Sequence, residues 1–301
     1  MDKITFECTL ITDYFAAGAD GIQPEFRPSS IKGALRFWWR ALNGHLLLSE
    51  LKRKEDEIFG GGGEAATKSR VMVRCTHPVL PTQDLFMYDR PGKRIPQKGF
   101  AAKDAHTFEI TLGLAKPIMS HFGLKELQAL FEITCLLGGL GKRSRRGRGS
   151  ISILKYKNSG NETWIPYSCP SNLTDILVKL NVLSEWYRKE NDVISFTYPG
   201  KTELYPFAQK IQIGASNPNI LGKIDETSHR LLEKYGFKYE ASLGHVNRRF
   251  ASPIYTSVTK NENKEKLAII TTLKNAADGQ HLGGVSGQVA DEFVQSILFS
   301  K

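Results

Sequence analysis

Residues 124–156 read Leu-Lys-Glu-Leu-Gln-Ala-Leu-Phe-Glu-Ile-Thr-Cys-Leu-Leu, then Gly-Gly-Leu-Gly-Lys-Arg-Ser-Arg-Arg-Gly-Arg-Gly, then Ser-Ile-Ser-Ile-Leu-Lys-Tyr. The first segment suits a helix over 124–137, with Leu127, Leu130, Phe131, Thr134 and Leu137 on one side. The last, 150–156, alternates as a strand does. Between them, 138–149 holds five glycines and five cations in twelve positions. Working outward, residues 3–11 and 106–114 read as strands, as do 69–76. From Ile31 the spacing is helical, with Ile31, Leu35, Trp38 and Leu42 on one stripe and Ser29 or Ser30 as the cap. The Pro- and Gly-rich stretch 78–104 reads as an exposed excursion from the core. The order β-α-β-β-α-β is the split βαβ, ferredoxin-like unit, with both helices on one face of an antiparallel sheet.

After residue 160 the pattern predicts helices at 171–190, 219–236 and 286–299. Strands are predicted near 193–198, 205–214, 237–243, 252–260 and 266–273. The expected fold class is α+β, with two ferredoxin-like domains. The first covers 1–160 and a divergent second covers 161–301, and the turn at 158–162 is the boundary.

The 301-residue chain carries 41 Lys+Arg against 31 Asp+Glu, a net charge of +10. Residues 1–160 hold 25 cations against 16 anions, and 161–301 hold 16 against 15, so an anionic partner is expected on the first half. A basic proteome or an acidic protein partner would give the same bias. Cys8, Cys75, Cys135 and Cys169 are widely spaced and form neither a disulfide framework nor a zinc site. With no leader-like N-terminus and no apolar run of membrane length, the chain is expected to be soluble, cytoplasmic and not bound to membrane.

Glycine permits positive φ and close approach of the backbone, and guanidinium forks fit phosphate oxygens. The 138–149 loop therefore suits a nucleic acid, through Lys142, Arg143, Arg145, Arg146 and Arg148; the plainer reading is a solvated basic loop. On the first helix Lys32, Arg36 and Arg40 recur at i, i+4 and i+8, an arrangement that repels itself unless an anion lies across it. Phe37, Trp38 and Trp39 span about 200° of a helix, so at least one is expected to meet another subunit or a base. Ile58-Phe59-Gly60 and the glycines after it make a pliant turn or linker. Arg248-Arg249-Phe250-Ala251-Ser252-Pro253-Ile254 could grip phosphate or a carboxylate.

The opening strand, Arg36-Phe37-Trp38-Trp39-Arg40-Ala41-Leu42, Ile58-Phe59-Gly60 and the basic glycine loop together resemble the RAMP superfamily of CRISPR proteins. The Arg-Phe-Trp-Trp-Arg helix is similar to that of the first RAMP subunit family of the Cmr (type III-B) RNA-guided effector complex. The 248–254 segment is similar to that family's second-domain motif. The resemblance implies two ferredoxin-like RAMP domains, with CRISPR RNA, target RNA and other RAMP subunits of the Cmr complex as partners. It implies a place at the end that holds the 3′ part of the CRISPR RNA. RNA contacts carry over to Lys32, Arg36 and Arg40, to the cations of 142–148, and to Arg248 and Arg249.

None of the seven histidines forms a metal-binding motif, and neither a phosphate-binding P-loop nor a dinucleotide fingerprint is present. His45, Asp13 and Asp20 are the candidates for an alternative role, metal-independent cleavage of CRISPR RNA. A third reading is a pure scaffold whose basic loop grips acidic neighbours. No catalytic residue, metal or cofactor is nominated, and a non-catalytic RNA-binding subunit is expected.

Overall fold

In a computed structural model the described residues are 2–18, 20–62, 66–76, 81–90, 92–115, 122–161, 163–202, 205–236, 242–244, 251–274 and 286–299. The first half runs β1 (Asp2–Leu10), α1 (Pro28–Leu42), α2 (Leu48–Phe59), β2 (Val71–Thr76), β3 (Thr82–Arg90), β4 (Lys93–Phe100), β5 (Thr107–Leu114), α3 (Leu124–Leu137), β6 (Ile151–Asn158) and β7 (Ile165–Pro166). The second runs α4 (Leu173–Leu183), β8 (Tyr187–Glu190), β9 (Val193–Phe196), β10 (Phe207–Ser216), α5 (Ile220–Tyr235), β11 (Ile254–Lys260), β12 (Lys266–Lys274) and α6 (Gly287–Leu298).

The first sheet has the order β2-β5-β1-β6-β7, antiparallel throughout. That is the ferredoxin-like order, with α1 and α3 as its two crossovers. Alternation along β1 decides the faces. Ile4, Phe6 and Cys8 are wholly buried under the helices, while Thr5 and Glu7 face outward, where Glu7 meets Lys155 at 3.1 Å. The second sheet has the order β11-β12-β10-β9-β8. Its β10-α5-β11-β12-α6 run repeats the ferredoxin-like pattern, and the β8–β9 hairpin supplies the strand beside β10.

One side expected for α3 becomes all sides. From Ala129 to Leu137 every residue is buried, because α3 packs on strands of both sheets and on α1 and α4. β11 and β12 are likewise buried on both faces, between α3 and the α5–α6 pair. The layers are thus sheet, helices, sheet, helices, and one apolar core runs from Ile4 to Leu273 across both sheets.

Several expectations change. Ser29 and Ser30 lie inside the first turn of α1; Arg27 is the N-cap, without a side-chain cap bond, and Pro28 takes the first helical position. The 78–104 excursion contains a two-stranded hairpin, β3–β4, and Phe100 at its end is buried against Tyr14 and Phe26. α2 has no counterpart among the predicted elements. The predicted 171–190 helix stops at Leu183, and Tyr187–Glu190 is a strand. Most of the strand expected at 237–243 lies outside the described residues. No helix among the described residues is long and apolar enough to cross a membrane.

Candidate nucleic-acid interface

The basic glycine loop is the seam between the two sheets. Its backbone is tied down along its length. Leu140 N–H donates to Gly149 O (2.9 Å), Lys142 N–H to Phe15 O (2.6 Å), Gly149 N–H to Asp13 O (2.8 Å), and Thr256 N–H to Arg145 O (3.2 Å). Gly149 sits at φ 65°, and a Cβ there would run into the Leu140 carbonyl. A Cβ at Gly138 would stand 2.5 Å from the Trp38 indole nitrogen. The close approach that glycine permits is therefore to this chain's own backbone and rings.

The loop's arginines point into the second half. Arg143 Nη2 and Arg148 Nη2 donate to the two carboxylate oxygens of Asp225 on α5, at 2.6 and 2.9 Å. Asp225 is 1% exposed and Arg148 is 7% exposed by side chain, so this pair is sealed from water, while Arg143 reaches the carboxylate from the partly exposed edge. Arg145 donates to Ser252 O, and its guanidinium lies 5.3 Å from the Phe37 ring and 4.9 Å from that of Tyr255. Arg146 donates to Leu243 O and to Ser252 Oγ (3.3 Å) and covers Phe293 at 5.1 Å. Burial pushes both Arg145 and Arg146 below the ordinary arginine value, Arg146 to about 10. Only Lys142 of the five cations is exposed and without a side-chain partner among the described residues.

The α1 cations have a different fate. α2 lies alongside and presents Glu55, 3% exposed, and Asp56. Arg36 donates to Glu55, to Asp56 (3.3 Å) and to Gly60 O (3.2 Å), and Arg40 lies 3.4 Å from Glu55. The anion that the i, i+4, i+8 stripe calls for is supplied from within. Both guanidiniums stay about two-fifths exposed at the edge of this network. Lys32 has no side-chain partner among the described residues, and desolvation, then Arg36, hold it below the usual lysine value. An anion beside it would favour its charged form and offset the repulsion from Arg36.

The aromatic triplet is used internally. Trp38 is wholly buried and Trp39 is 6% exposed; half-buried Phe37 packs edge-on to Trp38 (5.3 Å) and beside Tyr255 (5.7 Å). At about 100° per residue the three rings find the core, α2's Phe59 and the Arg145–Tyr255 seam on different sides of α1, with Phe37 left half-buried.

What remains open is the outer face of α1. Ser29, Ser30 and Gly33 are exposed there, flanked by Lys32, Arg36 and Arg40. No atom from elsewhere in the described chain lies within 4 Å of where a Gly33 side chain would begin. Lys142 N–H donates to Phe15 O, and the ring of neighbouring Tyr14 stacks on Phe26, two residues ahead of α1. Arg248 and Arg249 lie outside the described residues.

The candidates for cleavage chemistry are scattered. Asp13 accepts from Ala102 N–H at 2.9 Å. Asp20 accepts from Ile22 and Gln23 N–H, bonds that lower its pKa. His45 lies beyond the end of α1 against Trp186 and Tyr198.

The RAMP superfamily profile matches residues 7–152. The CRISPR system Cmr subunit Cmr1-2 of Pyrococcus furiosus is 30% identical over 184 residues, 51% of this chain and 96% of that protein. Subunit Cmr1-1 of the same organism is 30% identical over 148 residues, 44% of this chain and 41% of that protein. The apo crystal structure of Cmr1 from P. furiosus shares the fold with a TM-score of 0.58 at 19% identity, over 99% of this chain and 97% of that one. So does a chain of the type III-B Cmr-beta complex bound to cognate target RNA, with a TM-score of 0.58 at 12% identity over 98% and 99%. With the ferredoxin-like strand order, the tryptophan helix and the glycine loop all in place, the chain belongs to the family of CRISPR system Cmr subunit Cmr1.

Proposed function

We propose that this chain is a non-catalytic, RNA-holding subunit of a type III-B CRISPR effector in the cytoplasm. It would hold the 3′ part of the guide RNA and the guide–target duplex beside other RAMP subunits. Residues 1–160 and 161–301 would serve as its two domains, with the RNA on the first. The observation that carries this reading is Gly33. A glycine inside a helix costs about 0.5–1 kcal/mol relative to alanine, and here nothing in the described chain fills the space in front of it. Room bordered by Lys32, Arg36 and Arg40 fits the close approach of a sugar–phosphate strand. Phosphate contacts would supply affinity, and pairing within the guide would supply the choice of sequence. The family of the relatives supports the same reading, as does the target RNA held by the Cmr-beta particle.

The geometry narrows the contacts within this proposal. Lys32 and Lys142 lead, and Arg36 and Arg40 follow from the edge of their carboxylate network, while Arg145 is engaged by Ser252 O and the Phe37 and Tyr255 rings. Arg143, Arg146 and Arg148 serve RNA indirectly, by holding the seam. Arg248 and Arg249 keep the assignment that the family resemblance gives them.

Filter binding of a guide RNA, alone and paired to its target, tests the reading with Lys32→Glu/Lys142→Glu. The double variant should bind about tenfold or more weakly, whatever the sequence. Its salt slope on the single strand should be shallower by about 0.7 for each phosphate that it no longer neutralises. Equal affinity and slope would defeat the proposal. The RNA should also be recovered intact after incubation without metal. Discrete products that disappear in His45→Ala would make the subunit a nuclease.

A further inference from the structure

A second site lies past the C-terminal end of α1. Phe196, Tyr198, Lys201, Phe207, Gln209 and Lys274 line an open cavity of about 400 Å³ in the second half of the chain. Its aromatic wall is continuous: Phe207 meets Phe196 at 5.0 Å, Phe196 meets Tyr198 at 6.3 Å, and Tyr198 meets Trp186 edge-on at 4.8 Å. Two of these rings are seated on glycines. A Cβ at Gly44 would stand 2.6 Å from Cγ of Phe207, and one at Gly200 would stand 2.7 Å from Cε1 of Tyr198. Neither glycine has positive φ, so backbone conformation does not demand them. What they secure is the placement of the two rings.

The polar groups at this wall are unspent. Among the described residues Lys201 and Lys274 pair with no carboxylate, and the Gln209 amide has no hydrogen-bond partner; Lys274 Nζ is 5.9 Å from the Phe207 ring centroid. An aromatic wall offers a stacking face to any base, an amide can donate to and accept from a base edge, and two ammonium groups suit a phosphate. The cavity is of the size that holds a single small ligand.

We propose that this cavity takes one nucleotide unit, its base stacked on the Tyr198–Phe196 wall and its phosphate at Lys201 and Lys274. The unit is either an unpaired residue of a bound RNA or a free nucleotide. The RNA source rests on the RNA-holding reading above, and the free-nucleotide source does not.

Adenosine 5′-monophosphate is the first probe, titrated into the full chain and followed by tryptophan emission, with Trp186→Phe as the control for the reporting ring. Saturable binding is expected, and Tyr198→Ala should weaken it about 5- to 100-fold, the usual worth of one stacked base. Lys274→Glu alters an exposed side chain. It should weaken binding of the monophosphate at least several-fold while leaving that of adenosine unchanged. The second probe is single-stranded RNA in filter binding. Weaker RNA binding by Tyr198→Ala identifies an RNA residue as the occupant, and unchanged RNA binding with weaker monophosphate binding identifies a free nucleotide. Lys32→Glu/Lys142→Glu should leave monophosphate binding intact, so loss of the α1 reading would not be mistaken for loss of this one. If the monophosphate does not saturate, or if Lys274→Glu weakens adenosine and monophosphate alike, the proposal is overturned.

Discussion

The glycine loop and helix α1 carry the same kind of sequence, cations beside glycine, and the fold uses them in opposite ways. In the loop, Arg143 and Arg148 are spent on buried Asp225, and Arg145 and Arg146 on carbonyls and rings of the second half. On α1, Arg36 and Arg40 are balanced by Glu55 at one edge, while Lys32 and the space before Gly33 stay open. Cation density in a sequence thus reports demand for anions but not who meets it. A sealed guanidinium holds the chain together, and a half-exposed one keeps part of its field for a ligand.

The largest test of that contrast is Asp225→Ala. It strands two guanidiniums inside the seam, and breaking a buried pair from one side costs about 3–5 kcal/mol. Thermal unfolding should fall on the order of 10 °C. Replacing Arg143 and Arg148 by methionine and Asp225 by leucine together should cost far less, because no charge is then left without a partner. If Asp225→Ala leaves the melting temperature unchanged but weakens RNA binding, the loop belongs with α1 and the contrast collapses.

Glu55→Gln is the intermediate case, and its two effects have opposite signs. The fold should lose about 1–2 kcal/mol, less than at the seam, because water reaches both partner arginines. Arg40 is then released toward the outer face of α1, and Arg36 is held only by Asp56 and Gly60 O. RNA affinity should rise several-fold, and the single-strand salt slope should steepen by up to about 1.4, the value for two further phosphates neutralised. A weaker RNA complex from this variant would mean that the carboxylate orients the arginines for RNA.

The elements legible in the sequence are those whose burial pattern is local. β1, β2, β5, β6, α1 and α3 are set by alternation or by an apolar stripe, and their order is enough for the ferredoxin-like unit. α2 escapes such a reading because its buried stripe, Leu51, Glu55, Ile58 and Phe59, includes a carboxylate in a run of charges. The β3–β4 hairpin escapes it because Pro96 and Gly99 sit inside a strand. The helix expected to reach 190 ends at buried Ser184, where Tyr187 turns inward onto the second sheet. The candidate site is half legible. Each cation can be named, but Asp225 lies about 80 residues from its arginines and Glu55 a helix away from its own, so only the fold brings the partners together. The aromatic cavity carries no local signal, for its wall joins residues 196–209 to Lys274 and rests on Gly44.

Gly33→Ala has the smallest expected effect and separates the two kinds of cationic surface most cleanly. In the loop, a methyl group at Gly138 or Gly149 meets the chain's own atoms, so an alanine there damages the fold first. At Gly33 the same methyl group meets nothing from elsewhere in the described chain, and the helix gains about 0.5–1 kcal/mol from alanine's better propensity. Stability should therefore rise slightly by thermal unfolding while RNA affinity falls a few-fold in filter binding, with no change in net charge. A drop in affinity alongside a gain in stability can come only from obstructing something outside the chain. Equal affinity would leave Gly33 without a partner and remove the observation on which α1's open face was distinguished from the sealed loop.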